Sequence, residues 1–200
     1  MSRLALLALL AVSATADAVV IRHDVDDAAY RIAAVDFPAL VDMPGEGQGV
    51  LIAPQWVLTA AHTIAHQASL GHVALDGRRL AVERVVVHPG YATPPRSMID
   101  QALASGEGVL LVAFLATTDD LALVRLAEPV ADVEPATLYR RSGEHGRTVR
   151  IIGRGATGDG VSGHDRSGPN RTQLRRAYNT VSSAHERWFC YVFDAPPAGL

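Results

Sequence analysis

Short β-branched and aromatic runs, each stopped by proline or glycine, set the first limit on what this chain can fold into. Val50-Leu51-Ile52 leads through Pro54-Gln55 into Trp56-Val57-Leu58, the pattern of a tight hairpin. Arg84–His88 (RVVVH) stops at Pro89-Gly90, and Leu121–Leu126 (LALVRL) stops at Glu128-Pro129. Thr148–Ile152 (TVRII) stops at Gly153, and the aromatic run Arg187–Phe193 (RWFCYVF) precedes Pro196-Pro197. Many short strands divided by turns predict an all-β sandwich or barrel. Two stretches break the rhythm. Ser97–Ala104 (SMIDQALA) predicts a helical insertion, with Ser97 as N-cap and Asp100 three residues on. Residues 155–171 carry Gly, Ser, Asp and Pro with little apolar content and predict a long surface loop. Residues 109–115 (VLLVAFL) form an apolar run the size of a buried strand. Pro129 and Pro135 bracket a polar connection, so a change of structural unit is expected around 130–138.

Composition narrows the function. The 200 residues suffice to bury a core, and with 48% hydrophobic and 20% charged residues the chain is not disordered as a whole. A net charge of -3 argues against a nucleic-acid binder that works by bulk positive charge. The single cysteine, Cys190, excludes an internal disulfide and a Cys-rich zinc module. Its neighbours Trp188, Phe189 and Tyr191 predict a buried small hydrophobe. All 18 basic residues are Arg, which excludes a Schiff-base or P-loop lysine. The Arg and Ala bias matches a GC-rich, bacterial-type genome. The pairs Arg78-Arg79, Arg140-Arg141 and Arg175-Arg176 are expected on solvated faces.

The first residues, MSRLALLALLAVSATADA, run from Arg3 through an apolar Leu4–Val12 to a small-x-small site at Ala16-Asp17-Ala18. That order predicts a signal peptide over 1–18 and a secreted or periplasmic protein, with no membrane span once it is removed. Its removal takes away Arg3 and Asp17, so the charge of the remainder stays at -3.

Chemistry concentrates in two segments. In Gly49–His66 (GVLIAPQWVLTAAHTIAH) the hairpin delivers His62 at a strand end, and Ala60-Ala61 allow a tight turn there. In Thr118-Asp119-Asp120-Leu121-Ala122-Leu123 a carboxylate opens an apolar strand. A carboxylate there is costly to bury without a partner, and histidine is a natural one. The carboxylate fixes the tautomer through one ring N–H, leaving the other nitrogen to act as a base.

These residues resemble the trypsin/chymotrypsin-like serine endopeptidases. WVLTAAH at 56–62 is similar to the family's histidine motif, and DLALVRL at 120–126 to its aspartate motif. HPGY at 88–91 lies between them, as the family's pattern expects. VRIIGRG at 149–155 resembles the Gly-Trp-Gly turn of the second barrel, with Arg154 in place of Trp, and Leu174–Ala177 resembles the strand that follows. The resemblance implies two antiparallel six-stranded β-barrels, the second incomplete. The first spans 19–134 with an insertion at 92–117, and the second spans 135–200. It implies His62 as general base and then general acid, Asp120 as the carboxylate that holds its ring, and a protein or peptide substrate. Asp119 competes with Asp120, which is preferred because it directly precedes the strand. No metal or cofactor is implied.

The departures bear on function. No Gly-Asp-Ser-Gly-Gly-Pro motif is present. Asp165-Arg166-Ser167-Gly168-Pro169 and Ser162 sit in the polar loop and read as turns. Thr63 stands where a cysteine often follows the family's histidine, and no basic residue followed by Ile-Val-Gly-Gly offers the usual activation site. A zinc site on His62 and His66 lacks the Glu after the first histidine that a zinc hydrolase needs. The expected function is a secreted serine-type endopeptidase whose serine is missing from this sequence, as in a fragment or truncated product. The alternative is a catalytically inactive homologue acting as a binding module.

Overall fold

The computed structural model describes residues 20–45, 47–65, 69–105, 108–164, 173–185, 188–193 and 196. The expected signal peptide at 1–18, His66 and the string 165–169 lie outside these. Six antiparallel strands close a barrel: β1 (Leu40–Asp42), β2 (Gln48–Ala53), β3 (Trp56–Thr59), β4 (His72–Leu75), β5 (Arg78–Val87) and β6 (Ala122–Leu126). Their order is β1-β2-β3-β6-β5-β4, and pairing of β1 with β4 removes both sheet edges. Alternation selects what lies inside. Val57 in β3, and Val124 and Leu126 in β6, are fully buried and meet Val41, Leu51, Val73 and Leu75. Gly49 is required by this packing, because a Cβ there would lie 2.6 Å from Met43 Cε and 2.7 Å from Val57 Cγ1.

Local chemistry sets the turns. Pro54-Gln55 joins β2 to β3 as the sequence predicts. Asp76-Gly77 joins β4 to β5 with φ of 46° and 75°, the left-handed pair that matches strand twist in a two-residue hairpin. This Asp-Gly signal was available in the sequence and extends β5 back to Arg78, well before the expected start at Arg84. Polypeptide 130–136 remains with the first barrel. Val130 is in its core, and the N–H of Ala136 donates to Leu51 O at 2.8 Å.

Between β5 and β6 the chain makes two helices, α1 (Arg96–Ser105) and α2 (Val109–Leu115). The insertion opens and closes at one point, where the N–H of Asp119 donates to Gly90 O at 3.1 Å. Past a bulge at Val82–Arg84, the β5–β6 ladder therefore runs regularly to Val87 opposite Ala122. Two expectations are corrected here. Ser97 lies inside α1 rather than capping it, and Asp100 pairs with Arg96 one turn earlier at 2.8 Å. The apolar run 109–115 is an exposed helix, not a buried strand: Val109 is 76% exposed and Val112 62%. A closed barrel has no edge to receive another strand, and the Leu and Ala residues of 109–115 favour helical geometry.

Beyond the barrel the strands pair two by two. These are β7 (Thr148–Gly153) with β10 (Arg175–Thr180), β8 (Gly158–Asp159) with β9 (Gly163–His164), and β11 (Ser183–His185) with β12 (Trp188–Cys190). The N-terminal segment crosses this region. The N–H of Ile21 donates to Gly158 O, that of Ile32 to Leu174 O, and that of Arg176 to Tyr30 O. Arg175 is buried, not solvated: its guanidinium grips Asp27 through Nε at 2.6 Å and a terminal nitrogen at 3.0 Å. Cys190 is exposed rather than buried, as are Trp188, Phe189 and Tyr191 around it. No further strand covers this side of β12 among the described residues.

Candidate active site

Strand register brings the two sequence-predicted residues together. β3 pairs antiparallel with β6 so that Thr59 faces Ala122. Continuing that register beyond both strand ends places Asp120 opposite Ala61, next to His62. A short 3-10 turn, Ala61–Thr63, follows β3 and turns the imidazole toward the carboxylate. Its geometry is held by Thr63, whose hydroxyl donates to Ala60 O at 2.7 Å.

Both oxygens of Asp120 serve His62. Oδ2 lies 2.6 Å from the ring Nδ1, and Oδ1 accepts the His62 backbone N–H at 2.8 Å. An ionised carboxylate only accepts hydrogen bonds, so Nδ1 carries the proton and Nε2 is the basic nitrogen of the neutral ring. Burial pushes the Asp120 carboxyl up. The His62 ring, the His62 N–H and the Ala61 N–H outweigh it and hold the group below its ordinary value. The Asp120 side chain is 16% exposed and that of His62 45%, so the carboxylate is sheltered while the ring meets solvent. Such a pair can take up and return a proton at a fixed place.

Asp119, the competing candidate, points elsewhere. Its Oδ2 lies 3.4 Å from Nδ1 of His88, which also accepts the N–H of Gly90 at 3.1 Å. Gly90 is packed so closely on Asp119 that a Cβ there would strike its carboxylate. Two adjacent aspartates thus lie beside two different histidines, but the Nδ1 of His88, which accepts the Gly90 N–H, has no proton there to give Asp119. His88 stands within HPGY, and only the fold, which closes the long insertion between Gly90 and Asp119, brings the Asp119 carboxylate beside it. Tyr91 was missed as a neighbour of the site. Burial, and then the charge of Asp120, raise its phenol above the usual value.

Thr63, which stands where the resembling family often has a cysteine, lies directly against Gly47, and a Cβ at Gly47 would lie 2.6 Å from Thr63 Cγ2. Ser162 belongs to a turn: its hydroxyl donates to Asp159 Oδ2 at 2.7 Å. Among the described residues no cluster of His, Cys, Asp and Glu is arranged to hold a metal ion.

Comparisons with known proteins agree with this geometry. The chain is 39% identical over 74 residues to the human complement C1r subcomponent-like protein, a match covering 28% of this chain and 15% of that protein. It is similar in fold to mouse neuropsin, a serine protease expressed in the limbic system of the brain. That TM-score is 0.55 at 20% identity, over 77% of this chain and 64% of neuropsin. The chain therefore spans less than two thirds of either protein. The trypsin family model matches residues 29–187, a range that takes in the barrel, the His62–Asp120 pair and most of the second set of strands. A match of that extent settles the family: this chain belongs to the trypsin family.

Proposed function

We propose that this is an exported serine-type endopeptidase sequence that carries the histidine and aspartate of a catalytic triad but not its serine. The observation that carries the proposal is the 2.6 Å bond between His62 Nδ1 and Asp120 Oδ2, reinforced by the His62 N–H on the other oxygen. In this scheme His62 Nε2 takes the proton of the attacking hydroxyl and later delivers it to the leaving amine. Asp120 fixes the tautomer and stabilises the imidazolium, and peptide bonds are cleaved through an acyl-enzyme. The serine of the family motif is not among these 200 residues. The segment 1–18 is the proposed export signal.

A fluorophosphonate probe tests this directly. The 200-residue chain is expected to remain unlabelled. A gene product extended in frame through a Gly-Asp-Ser-Gly motif is expected to label, and to lose labelling in His62→Ala. Labelling of the 200-residue chain, or of the extended His62→Ala variant at the parent rate, overturns the proposal. The second reading, an inactive homologue that binds a partner, draws support from the apolar surface of α2 and β12. An in-frame stop at codon 200 of the natural gene would favour it.

A further inference from the structure

The residue that replaces tryptophan in the Gly-x-Gly turn has no role in the site above. Arg154 borders an open cleft of about 500 Å³ between the N-terminal segment and the second set of strands. Its Nε is buried and has no hydrogen-bond partner among the described residues. A buried guanidinium nitrogen without an acceptor is unfavourable, and proteins rarely leave one so. The described carboxylates nearby are already engaged. Asp27 is gripped by Arg175 and by Arg31, which borders the same cleft. Asp36, also on the wall, accepts the N–H of Ala33 at 2.9 Å. Among the described residues that line it, the guanidiniums of Arg31 and Arg154 outnumber the carboxylate of Asp36 by one. The rest of the wall includes Ile32, Ala33, Ala34 and Leu174, all apolar.

We propose that this cleft binds a small monocarboxylate, with the acid group on Arg154 and an aliphatic body against Ile32, Ala34 and Leu174. A single net charge fits a monoanion, and the planar guanidinium fork fits a carboxylate. Asp36 on the wall disfavours a doubly charged phosphate. A volume of this size lies within the range of small-molecule sites. The acid could be free or could be the C-terminus of a peptide; the chemistry is shared.

Amide chemical shifts of the 200-residue chain, titrated with isobutyrate, N-acetyl-L-leucine, N-acetyl-L-leucinamide and inorganic phosphate, provide the test. Saturable shifts at residues 32–34, 154 and 174 are expected with at least one carboxylate, at a Kd on the order of 1 mM. Response to isobutyrate alone indicates a free acid, and response to N-acetyl-L-leucine alone indicates a peptide terminus. The leucinamide and phosphate should bind at least about tenfold more weakly, and Arg154→Gln should weaken the carboxylate by a similar factor. Ala34→Phe, which fills the cleft and keeps Arg154, should abolish binding and provides the answer if Arg154→Gln does not fold. Equal binding of the amide or of phosphate, binding retained in Arg154→Gln or in Ala34→Phe, or no saturable response to either carboxylate overturns the proposal.

Discussion

At the scale of single residues, Asp120 links stability to pH. Its folded pKa is depressed, so its contribution is present above the unfolded value near 3.9 and is lost as pH falls through the folded value. Acid unfolding of the parent chain should therefore steepen below about pH 4. Asp120→Asn should unfold more easily at pH 7 and lose part of that steepening, as followed by circular dichroism across pH. An unchanged acid profile would mean that the His62 contact contributes nothing to the fold. Asp120 was legible in the sequence because a carboxylate abutting Leu121-Ala122-Leu123 needs a partner, and the motif around His62 supplied one. Asp119 had the same composition and nearly the same position. What separates them is the side on which each emerges once β5 and β6 are in register, and that depends on pairing between residues far apart in sequence. Arg175 is the opposite case. It looked like half of a surface Arg-Arg pair, and only the N-terminal segment folding back over it, with Asp27, makes it a buried ion.

The elements show which parts of the chain carry the fold. The 92–117 insertion is long, yet its ends meet through Asp119 and Gly90, and the strand ladder beneath is continuous. Replacing residues 92–117 with a short Gly-Ser linker should leave the barrel folded, with a loss of no more than about 1 kcal/mol, since loop-closure entropy changes slowly with length. Thermal melting of the deletion variant checks this, and failure to fold would show that α1 and α2 support the barrel. The N-terminal segment should behave differently. Asp27→Asn leaves the Arg175 guanidinium buried without its counter-charge, which should cost about 2–3 kcal/mol. That is less than for a fully buried pair, because the Asp27 side chain is 28% exposed. The Arg175 and Arg31 contacts, partly offset by burial, hold the Asp27 carboxyl below its usual value. Its contribution therefore also fades as pH falls through that lowered value, and denaturant midpoints of parent and variant should converge in acid. The strand periodicities of β3 and β6 were readable because inward and outward residues alternate there. Residues 109–115 were misread because a uniformly apolar run of seven has no period to distinguish helix from strand.

For the whole molecule, the distribution of buried side chains implies two levels of stability. The continuous core runs from Ala39 to Val130 and belongs to the closed barrel, whose strands leave no free edge. The later strands and their connections bury Ala156, Leu174, Arg175 and Val181 but leave Trp188, Phe189, Tyr191 and Phe193 42–49% exposed, and the strands pair only two by two. Backbone hydrogen bonds there are backed by less apolar burial, so they should open without unfolding the barrel. Native-state hydrogen exchange should show amides of β2, β3 and β6 opening only with global unfolding. Those of β11 and β12 should exchange at least about 100-fold faster, a gap of about 2.7 kcal/mol, with a weaker dependence on denaturant. The strands β7 and β10 should fall between, because the N-terminal segment pairs with β10 and Asp27 clamps Arg175. Asp27→Asn should lower the protection of β10 while leaving that of β3 and β6 unchanged at low denaturant. If instead all strands share one opening free energy and one denaturant slope, the barrel and the later strands form a single cooperative unit. The His62–Asp120 pair, which sits at the ends of β3 and β6, would then be lost whenever the later strands open.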